Sequence, residues 1–328
     1  MPAPASAAHV SVASAPQTSN ATRRSNTTAV QAPVVPGQFF VEPDDGDALI
    51  VKSITQAHKS IDLTIYLLTE RDVILGLKEA VKRHVAVRVL LEPHPVGGPG
   101  NQNIHDELQG AGIDVKWANP AFRLTHEKSL MLDRASAYIM TLNLTHSSFT
   151  SNREFGMLDT DPADVAVDEA IFEADWNRTA VDPTRADLVV APNNARQKLT
   201  DLIASAHKTL LAEQEEMQDP GIVDALAAAA KRGVQVKLIV PMPQGGNDHN
   251  VSGEQRLAST GAAVRKLAAP YPHVKMYLAD GQMLYVGSAN ASSSSLDDTR
   301  ELGLIMSNAD AIKRVQDTFA KDWAAAVP

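Results

Sequence analysis

The sequence has 328 residues, no cysteine and a formal net charge of −9 at pH 7. Its length suits two domains of ordinary size. Because cysteine is absent, a disulfide framework, a thiol nucleophile and a cysteine metal site are excluded. The negative charge disfavours a protein that coats nucleic acid through bulk charge, although it leaves a local basic groove open.

The chain begins with a segment that has the composition of a disordered tail. Residues 1–37 are rich in Ala, Ser, Thr and Pro, a composition that does not bury enough apolar surface to fold. The segment lacks the basic start and the apolar stretch of a signal peptide. No later run of about 18 apolar residues occurs. The sequence therefore predicts a soluble protein without a transmembrane segment.

Strands and helices alternate after the tail. Apolar runs predict strands near residues 61–67, 85–91 and 113–117, and residues 74–83 have the apolar spacing of a helix. A later strand pair and a closing helix follow. This alternation indicates an α/β domain with a mostly parallel sheet.

The same order of elements then occurs a second time. At an offset of 147, 13 of the 51 positions in residues 126–176 are identical to those in residues 273–323. Many matches are polar, whereas a duplicated core alone would preserve only the apolar pattern. We therefore predict two tandem α/β repeats, residues 38–184 and 185–328, that form a pseudo-twofold pseudo-dimer within a monomer.

Each repeat carries one motif of the form H-x-K-x4-D. The motif residues are His126, Lys128 and Asp133 in the first repeat and His273, Lys275 and Asp280 in the second. On a strand, residues two apart share a face, so the His and Lys of each motif point the same way. Matched pairs follow downstream: Asn143 with Asn290, and Glu154 with Glu301. Two motifs at one offset are a far stronger signal than one.

The duplicated motif, with an Asn ten residues after its Asp, resembles the phospholipase D superfamily. Residues 287–290 have that family's G-S-x-N form, and residues 153–156 and 300–303 resemble its downstream acidic motif. One departure is that the first repeat reads M-T-L-N over residues 140–143, with Thr141 in the position of Ser288. The two halves therefore need not act alike.

The resemblance implies a phosphoric diester hydrolase of the phospholipase D type that works through a phosphohistidine, without a metal or other cofactor. Two Lys and two Asn (Lys128, Lys275, Asn143 and Asn290) would mask the charge on the phosphoryl oxygens. One imidazole would attack phosphorus and the other would protonate the leaving alkoxide. By resemblance, His126 is the nucleophile and His273 the acid.

Other polar residues are expected to support this site. Glu154 and Glu301 are candidates for orienting the two histidines, but the sequence does not indicate which Glu serves which His. Asp133, Asp280, Thr141 and Ser288 are expected to be structural supports. Two loops, residues 93–101 and 241–250, follow equivalent strands and are expected to flank the cleft. Within them, His94 and His249 are candidate substrate contacts.

The superfamily includes phospholipases, phosphatidyl transferases and nucleases, so the motif indicates the reaction and not the substrate. We favour phospholipid head-group hydrolysis or transfer, because the motif regions lack the basic-aromatic interleaving of a nucleic-acid binder. A metal-independent endonuclease acting on DNA or RNA is the alternative. A non-catalytic phosphate-binding module is disfavoured because both His-Lys pairs are intact. Both the bacterial cytoplasm and secretion after processing stay open.

Overall fold

The computed structural model describes residues 38–96, 100–183, 187–246 and 248–328. The tail predicted over residues 1–37 and the boundary predicted between residues 184 and 185 lie outside these ranges. Within the described ranges, no helix is both long enough and apolar enough to cross a membrane.

The first half of the described chain forms one mixed sheet with helices packed on it. Its elements are β1 (Phe39–Glu42), α1 (Ala48–Gln56), β2 (Ser60–Ile65), α2 (Arg71–Lys82), β3 (Ala86–Leu91), α3 (Gln102–Gly110), β4 (Asp114–Trp117), β5 (Ser129–Leu132), β6 (Ser136–Met140), α4 (His146–Thr150), β7 (Asn152–Asp159) and α5 (Pro162–Asn177). The strands lie in the order β1-β7-β6-β5-β2-β3-β4. The predicted helix is α2, and the three predicted strands are β2, β3 and β4.

The second half repeats this arrangement. Its elements are β8 (Leu188–Ala191), α6 (Ala195–Ser205), β9 (Thr209–Gln214), α7 (Pro220–Lys231), β10 (Gln235–Pro241), α8 (Val251–Ala258), β11 (Ala263–Leu267), β12 (Tyr271–Pro272), β13 (Lys275–Ala279), β14 (Met283–Gly287), α9 (Ser293–Asp297), β15 (Glu301–Met306) and α10 (Ala309–Ala325). The strand order β11-β10-β9-β13-β14-β15-β8 corresponds to that of the first sheet read from its other end, β4-β3-β2-β5-β6-β7-β1. The predicted fold of two tandem α/β repeats is confirmed.

The prediction of a mostly parallel sheet was wrong. In the first sheet, β2, β3 and β4 run parallel, but β5 runs antiparallel to β2 and forms a hairpin with β6. The same holds for β13 between β9 and β14. The hairpins turn at Asp133 and Asp280, which have left-handed φ values of 54° and 53°. A three-residue reversal of this kind joins antiparallel strands, whereas parallel strands need a long crossover.

Both halves contribute to one apolar cluster in addition to the core of each sheet. This shared cluster includes Phe155 and Ile171 from the first half with Met276 and Val286 from the second. Burying side chains of this size contributes roughly 1.5–3 kcal/mol each. The two sheets are therefore packed as one body, and the motif strands β5 and β13 lie near their junction.

Polar contacts join the halves reciprocally at that junction. Arg153 Nε donates to Asp322 at 2.7 Å, and Arg300 Nε donates to Asp175 at 2.8 Å. Each arginine therefore pairs with the aspartate of the other half, and all four side chains are buried. The strand pairing of β12 with β7 also crosses the junction.

Candidate active site

The two motif histidines lie at the junction, where each is fixed by the opposite half. The main-chain N–H of His126 donates to Arg300 O at 2.9 Å, and that of His273 donates to Arg153 O at 3.2 Å. Both imidazoles line one cavity of about 730 Å³. The structure thus brings residues 147 positions apart in the sequence to a single site.

The motif lysines are fully buried beside the histidines. Lys128 Nζ donates to the carbonyl of His126, and Lys275 Nζ donates to the carbonyl of His273 at 2.8 Å. Burial, with the nearby charge of Lys275, lowers the pKa of Lys128 to about 7 against the opposing effect of Glu301. An ammonium group in this position gains strongly from an incoming anion, because it has lost its hydration.

The glutamate that serves each histidine comes from the other half. His126 Nδ1 hydrogen-bonds Glu301 Oε2 at 3.0 Å, and His273 Nδ1 lies 2.8 Å from Glu154 Oε1. This crossed arrangement answers the question that the sequence left open. At His126, the carboxylate holds the proton on Nδ1, so the lone pair of Nε2 is free to act on a substrate.

Hydroxyl groups hold both glutamates in place. Thr141 Oγ1 donates to Glu154 Oε2 at 2.6 Å, and Ser295 Oγ donates to Glu301 Oε1 at 2.5 Å. Although burial raises the pKa of Glu301, the adjacent His126, the charge of Lys128 and the Ser288 hydroxyl bring it below its usual range. Glu301 is therefore a carboxylate at neutral pH.

The first-half departure from the G-S-x-N form has a packing explanation. Gly287 lies opposite Gly303 in the β14–β15 register, and a Cβ on Gly287 would lie 2.3 Å from Gly303 Cα. In the first half, Met140 occupies the equivalent position opposite Gly156. Strands β6 and β7 therefore accommodate a side chain where β14 and β15 do not. Thr141 keeps the hydroxyl that the site uses.

Asn143 and Asn290 both line the cavity. Each side chain is nearly buried, and its amide oxygen has no hydrogen-bond partner among the described residues. Both side chains therefore retain hydrogen-bonding capacity that a ligand can use.

The motif aspartates lie away from the cavity. Asp133 accepts hydrogen bonds from the main-chain N–H groups of His58, Lys59 and Ser60. Asp280 accepts them from the equivalent residues 207–209. Each carboxylate thus joins the turn after its motif strand to the start of the neighbouring strand, and its role as a support stays a prediction.

The cavity holds His126 in its neutral form. Burial lowers the pKa of His126 to about 4, and the charges of Lys128 and Lys275 add to this effect against the opposing influence of Glu301. A neutral imidazole has the lone pair that nucleophilic attack requires.

Glu215 is the main feature of the site that the sequence interpretation missed. Its position is equivalent to that of Tyr66 at an offset of 149, directly after the central strand of each sheet. Lys275 Nζ donates to Glu215 Oε2 at 2.8 Å, and His273 Nε2 lies 3.4 Å from the same oxygen. Although burial raises the pKa of Glu215, the charges of His273 and Lys275 lower it to about 2. In the sequence, Glu215 could be recognised only as a difference from Tyr66 within a repeat that otherwise matches well.

The two halves contribute different side chains to the cavity wall. The first half contributes Tyr66, Leu67, Val96 and Leu124, and the second contributes Glu215, Glu216, Gln218 and Ser292–Ser295. Arg123 also lines the cavity and is exposed. Of the two loops expected to flank the cleft, the first reaches the cavity through Val96. His94 and His249 are exposed and not among the lining residues, so substrate contact by either stays a prediction.

Comparison with known proteins agrees with this geometry. A family model described as "Cardiolipin synthase, PLD-like domain" matches twice, over residues 50–176 and 199–323. A cardiolipin synthase of Clostridium perfringens strain 13 is 24% identical over 324 residues, which covers 83% of this chain and 67% of that protein. The 5'-3' exonuclease PLD3 of Rattus norvegicus is 33% identical over 123 residues, covering 34% of this chain and 24% of that protein.

The fold has a counterpart among solved structures. The phosphatidylserine synthase of Haemophilus influenzae Rd KW20 superposes with a TM-score of 0.68 at 12% identity, covering 89% of this chain and 86% of that one. The double match of the family model spans most of the sequence and both motif strands. The chain therefore belongs to the phospholipase D superfamily of phosphodiesterases and phosphodiester transferases.

Proposed function

We propose that the protein cleaves the head group from a phospholipid, or exchanges it, through a phosphohistidine at His126. In the first step, Nε2 of His126 forms a bond to phosphorus while the bond from phosphorus to the leaving oxygen breaks. His273 gives its proton to that oxygen. In the second step, His273 takes a proton from water or an acceptor alcohol. The resulting oxygen nucleophile attacks phosphorus, and the bond from nitrogen to phosphorus breaks.

Three features support these roles. His126 is neutral because of its burial and the adjacent lysines, and Glu301 holds its Nδ1 proton. His273 has carboxylates near both ring nitrogens, Glu154 and Glu215, an arrangement suited to the proton donor of the first step. The buried charge of Lys128 and the side-chain N–H groups of Asn143 and Asn290, both of which line the cavity, would stabilise the charge on the phosphoryl oxygens.

The observation that carries the choice of substrate is the division of the cavity wall. In-line displacement puts the leaving group opposite the nucleophile, and therefore on the side of His273. Glu215 contacts His273 on that side, whereas Tyr66 packs against His126 on the other. Leu67 and Leu124 of the first half also line the cavity, beside the charged Arg123. A phospholipid matches this division, because its polar head group leaves and its apolar part stays on phosphorus.

The relatives support the same substrate class. The cardiolipin synthase of Clostridium perfringens matches over 83% of this chain, whereas the exonuclease matches over 34%. Two adjacent acidic side chains in the cavity also oppose a polyanionic strand. Both water and an alcohol fit the polar side as acceptor, so hydrolysis and transfer are both within the proposal.

A nuclease is the second candidate. The exonuclease relative favours it, as does the exposed Arg123 at the cavity, which is a suitable contact for a phosphate. The acidic wall formed by Glu215 and Glu216 counts against it.

The test uses the purified full-length chain on phospholipid vesicles and on single- and double-stranded DNA, with and without EDTA and with glycerol as a possible acceptor. We expect release of head group, or its replacement by glycerol, in the wild type and not in His126→Asn. Because the proposed site uses lysine and asparagine for charge masking, EDTA should not reduce the rate. Cleavage of DNA without lipid turnover would establish the nuclease instead. A rate that EDTA abolishes and a divalent cation restores would contradict the mechanism.

A further inference from the structure

The two halves of the site differ most beside the histidines. In the first half, Tyr66 packs edge-on against His126 with ring centroids 4.7 Å apart, and its ring lies 5.1 Å from Lys128 Nζ. In the second half, the equivalent position is the carboxylate of Glu215, which contacts Lys275 and His273. A neutral ring in one half is therefore replaced by an anion in the other.

A second pair of equivalent positions is changed in a matching way. Leu124 of the first half corresponds to Tyr271 of the second at the offset of 147. Burial and the neighbouring carboxylate of Glu215 raise the pKa of the Tyr271 hydroxyl. The carboxylate of Glu215 thus accepts a hydrogen bond from Lys275 and lies next to His273 and Tyr271, with its side chain 21% exposed. Contacts with several side chains therefore fix the position of the Glu215 carboxylate.

The charged groups around His273 come from several elements. Glu154 lies on β7, Glu215 follows β9, and Lys275 is on β13 in the same motif. Glu215 also lies within the electrostatic influence of His126, and Glu216 follows it in the cavity wall. Around His126, by contrast, one carboxylate, Glu301, makes a contact.

We propose that Glu215 is a positioning residue that makes the two symmetric histidines unequal: it holds His273 as the proton donor, while Tyr66 leaves His126 as the nucleophile. This inference rests on the proposed function. The carboxylate keeps the proton on His273 Nε2, the atom that faces the leaving oxygen. It also engages Lys275, so among the described residues Lys128 is the motif lysine whose ammonium makes no carboxylate contact and is left to pair with a phosphoryl oxygen.

The primary test compares Glu215→Gln and Glu215→Asp with the wild type on two phosphodiesters, one with a nitrophenyl leaving group and one with an alkyl leaving group. The alkyl substrate needs the proton of His273, and the nitrophenyl substrate does not. Since general acid catalysis typically contributes 10²–10⁴-fold, we expect Glu215→Gln to lose about tenfold or more with the alkyl substrate. With the nitrophenyl substrate it should lose much less, and Glu215→Asp should recover most of the alkyl rate.

The pH profile gives an independent readout. Because Glu215 contacts His273, the pH profile of the alkyl rate should differ between Glu215→Gln and the wild type, whereas the profile of the nitrophenyl rate should not. Asp317→Asn, which removes one negative charge on an exposed part of α10, is the matched control and should leave both the rates and the profile as they are. If Glu215 had a purely structural role, Glu215→Gln would lower the rates with both substrates equally and leave both pH profiles unchanged. That result would overturn the proposal.

Two other outcomes are decisive. A Glu215→Gln enzyme that is faster than the wild type would also overturn the proposal, because the carboxylate would then compete with the substrate for Lys275.

In the exchanged variant Tyr66→Glu/Glu215→Tyr, the covalent phosphate should move from His126 towards His273. If the wild type has no activity on any phosphodiester, the proposed function fails. If the wild type is active but Glu215→Gln behaves like Asp317→Asn, this inference alone fails.

Discussion

At the scale of single residues, the site depends on the different environments of two chemically identical side chains. His126 is buried next to two lysines and is kept neutral, while His273 has a carboxylate near each ring nitrogen. Opposite environments for two titratable groups assign the acid and the nucleophile without any other chemical difference.

The pH dependence follows from His126 and Lys128. The pKa of His126 is lowered to about 4, so the imidazole is a nucleophile at any higher pH. The pKa of Lys128 is lowered to about 7, so its charge, and with it the stabilisation of the phosphoryl oxygens, is lost as the pH rises through that value. With a nitrophenyl phosphodiester, kcat/KM of the free enzyme should therefore rise through about pH 4 and fall above about pH 7.

Lys128→Arg separates the two limbs of this profile. Because arginine stays charged, whatever activity this variant keeps should no longer fall above about pH 7. An acidic limb near the ordinary histidine value of about 6.5 would contradict the neutral state of His126.

The sequence was sufficient to identify the two His-Lys pairs, because the repeat preserves them at one offset. It was not sufficient to assign the glutamates, since Glu154 and Glu301 reach across the junction to the opposite histidine. Such crossing depends on how the halves pack, which leaves no local pattern. The repeat did not indicate Glu215, because its equivalent in the first half is Tyr66 and the prediction was based on identical pairs.

At the scale of the elements, the junction depends on two crossed ion pairs. Arg153 with Asp322 and Arg300 with Asp175 are buried, and the two arginines are adjacent in sequence to the glutamates of the site. Removing one partner of such a pair leaves an uncompensated buried charge. The pairs therefore hold both the junction and the carboxylates.

Arg153→Met is expected to lower the free energy of unfolding by about 3–5 kcal/mol, because Asp322 would be left buried without its partner. Urea denaturation measures this loss. Asp317→Asn, which breaks an exposed pair with Lys313, is the control and should cost at most about 1 kcal/mol. Equal effects of the two substitutions would show that the buried pair does not hold the junction.

The helices and strands themselves were largely predictable, because the apolar periodicity of α2, β2 and β3 reflects local burial. The direction of the motif strands was not. It is decided by the left-handed turns at Asp133 and Asp280, and by main-chain hydrogen bonds that those carboxylates accept from residues 58–60 and 207–209. Aspartate is tolerated in left-handed turns, but it also occurs widely elsewhere, so its presence predicts no reversal.

At the scale of the whole molecule, neither half holds a complete site. Each contributes a histidine and a lysine, and each supplies the glutamate that the other half uses. The duplication therefore gives one cavity to which the halves contribute unequally, with Tyr66 and two leucines from the first half and Glu215 and Glu216 from the second. This is the arrangement expected of an enzyme that retains one part of a phosphodiester and releases the other.

Trapping of the covalent intermediate tests the central claim, that His126 is the nucleophile of one site shared by both halves. The variants His126→Asn and His273→Asn are mixed with a nitrophenyl phosphodiester, quenched in acid and analysed by peptide mass spectrometry. His273→Asn should still become phosphorylated and then stall, because it lacks the base for the second step. The account predicts an adduct on the peptide that contains His126 in His273→Asn, and none in His126→Asn. An adduct on His273 in the His126→Asn protein, or no adduct in either variant, would contradict it.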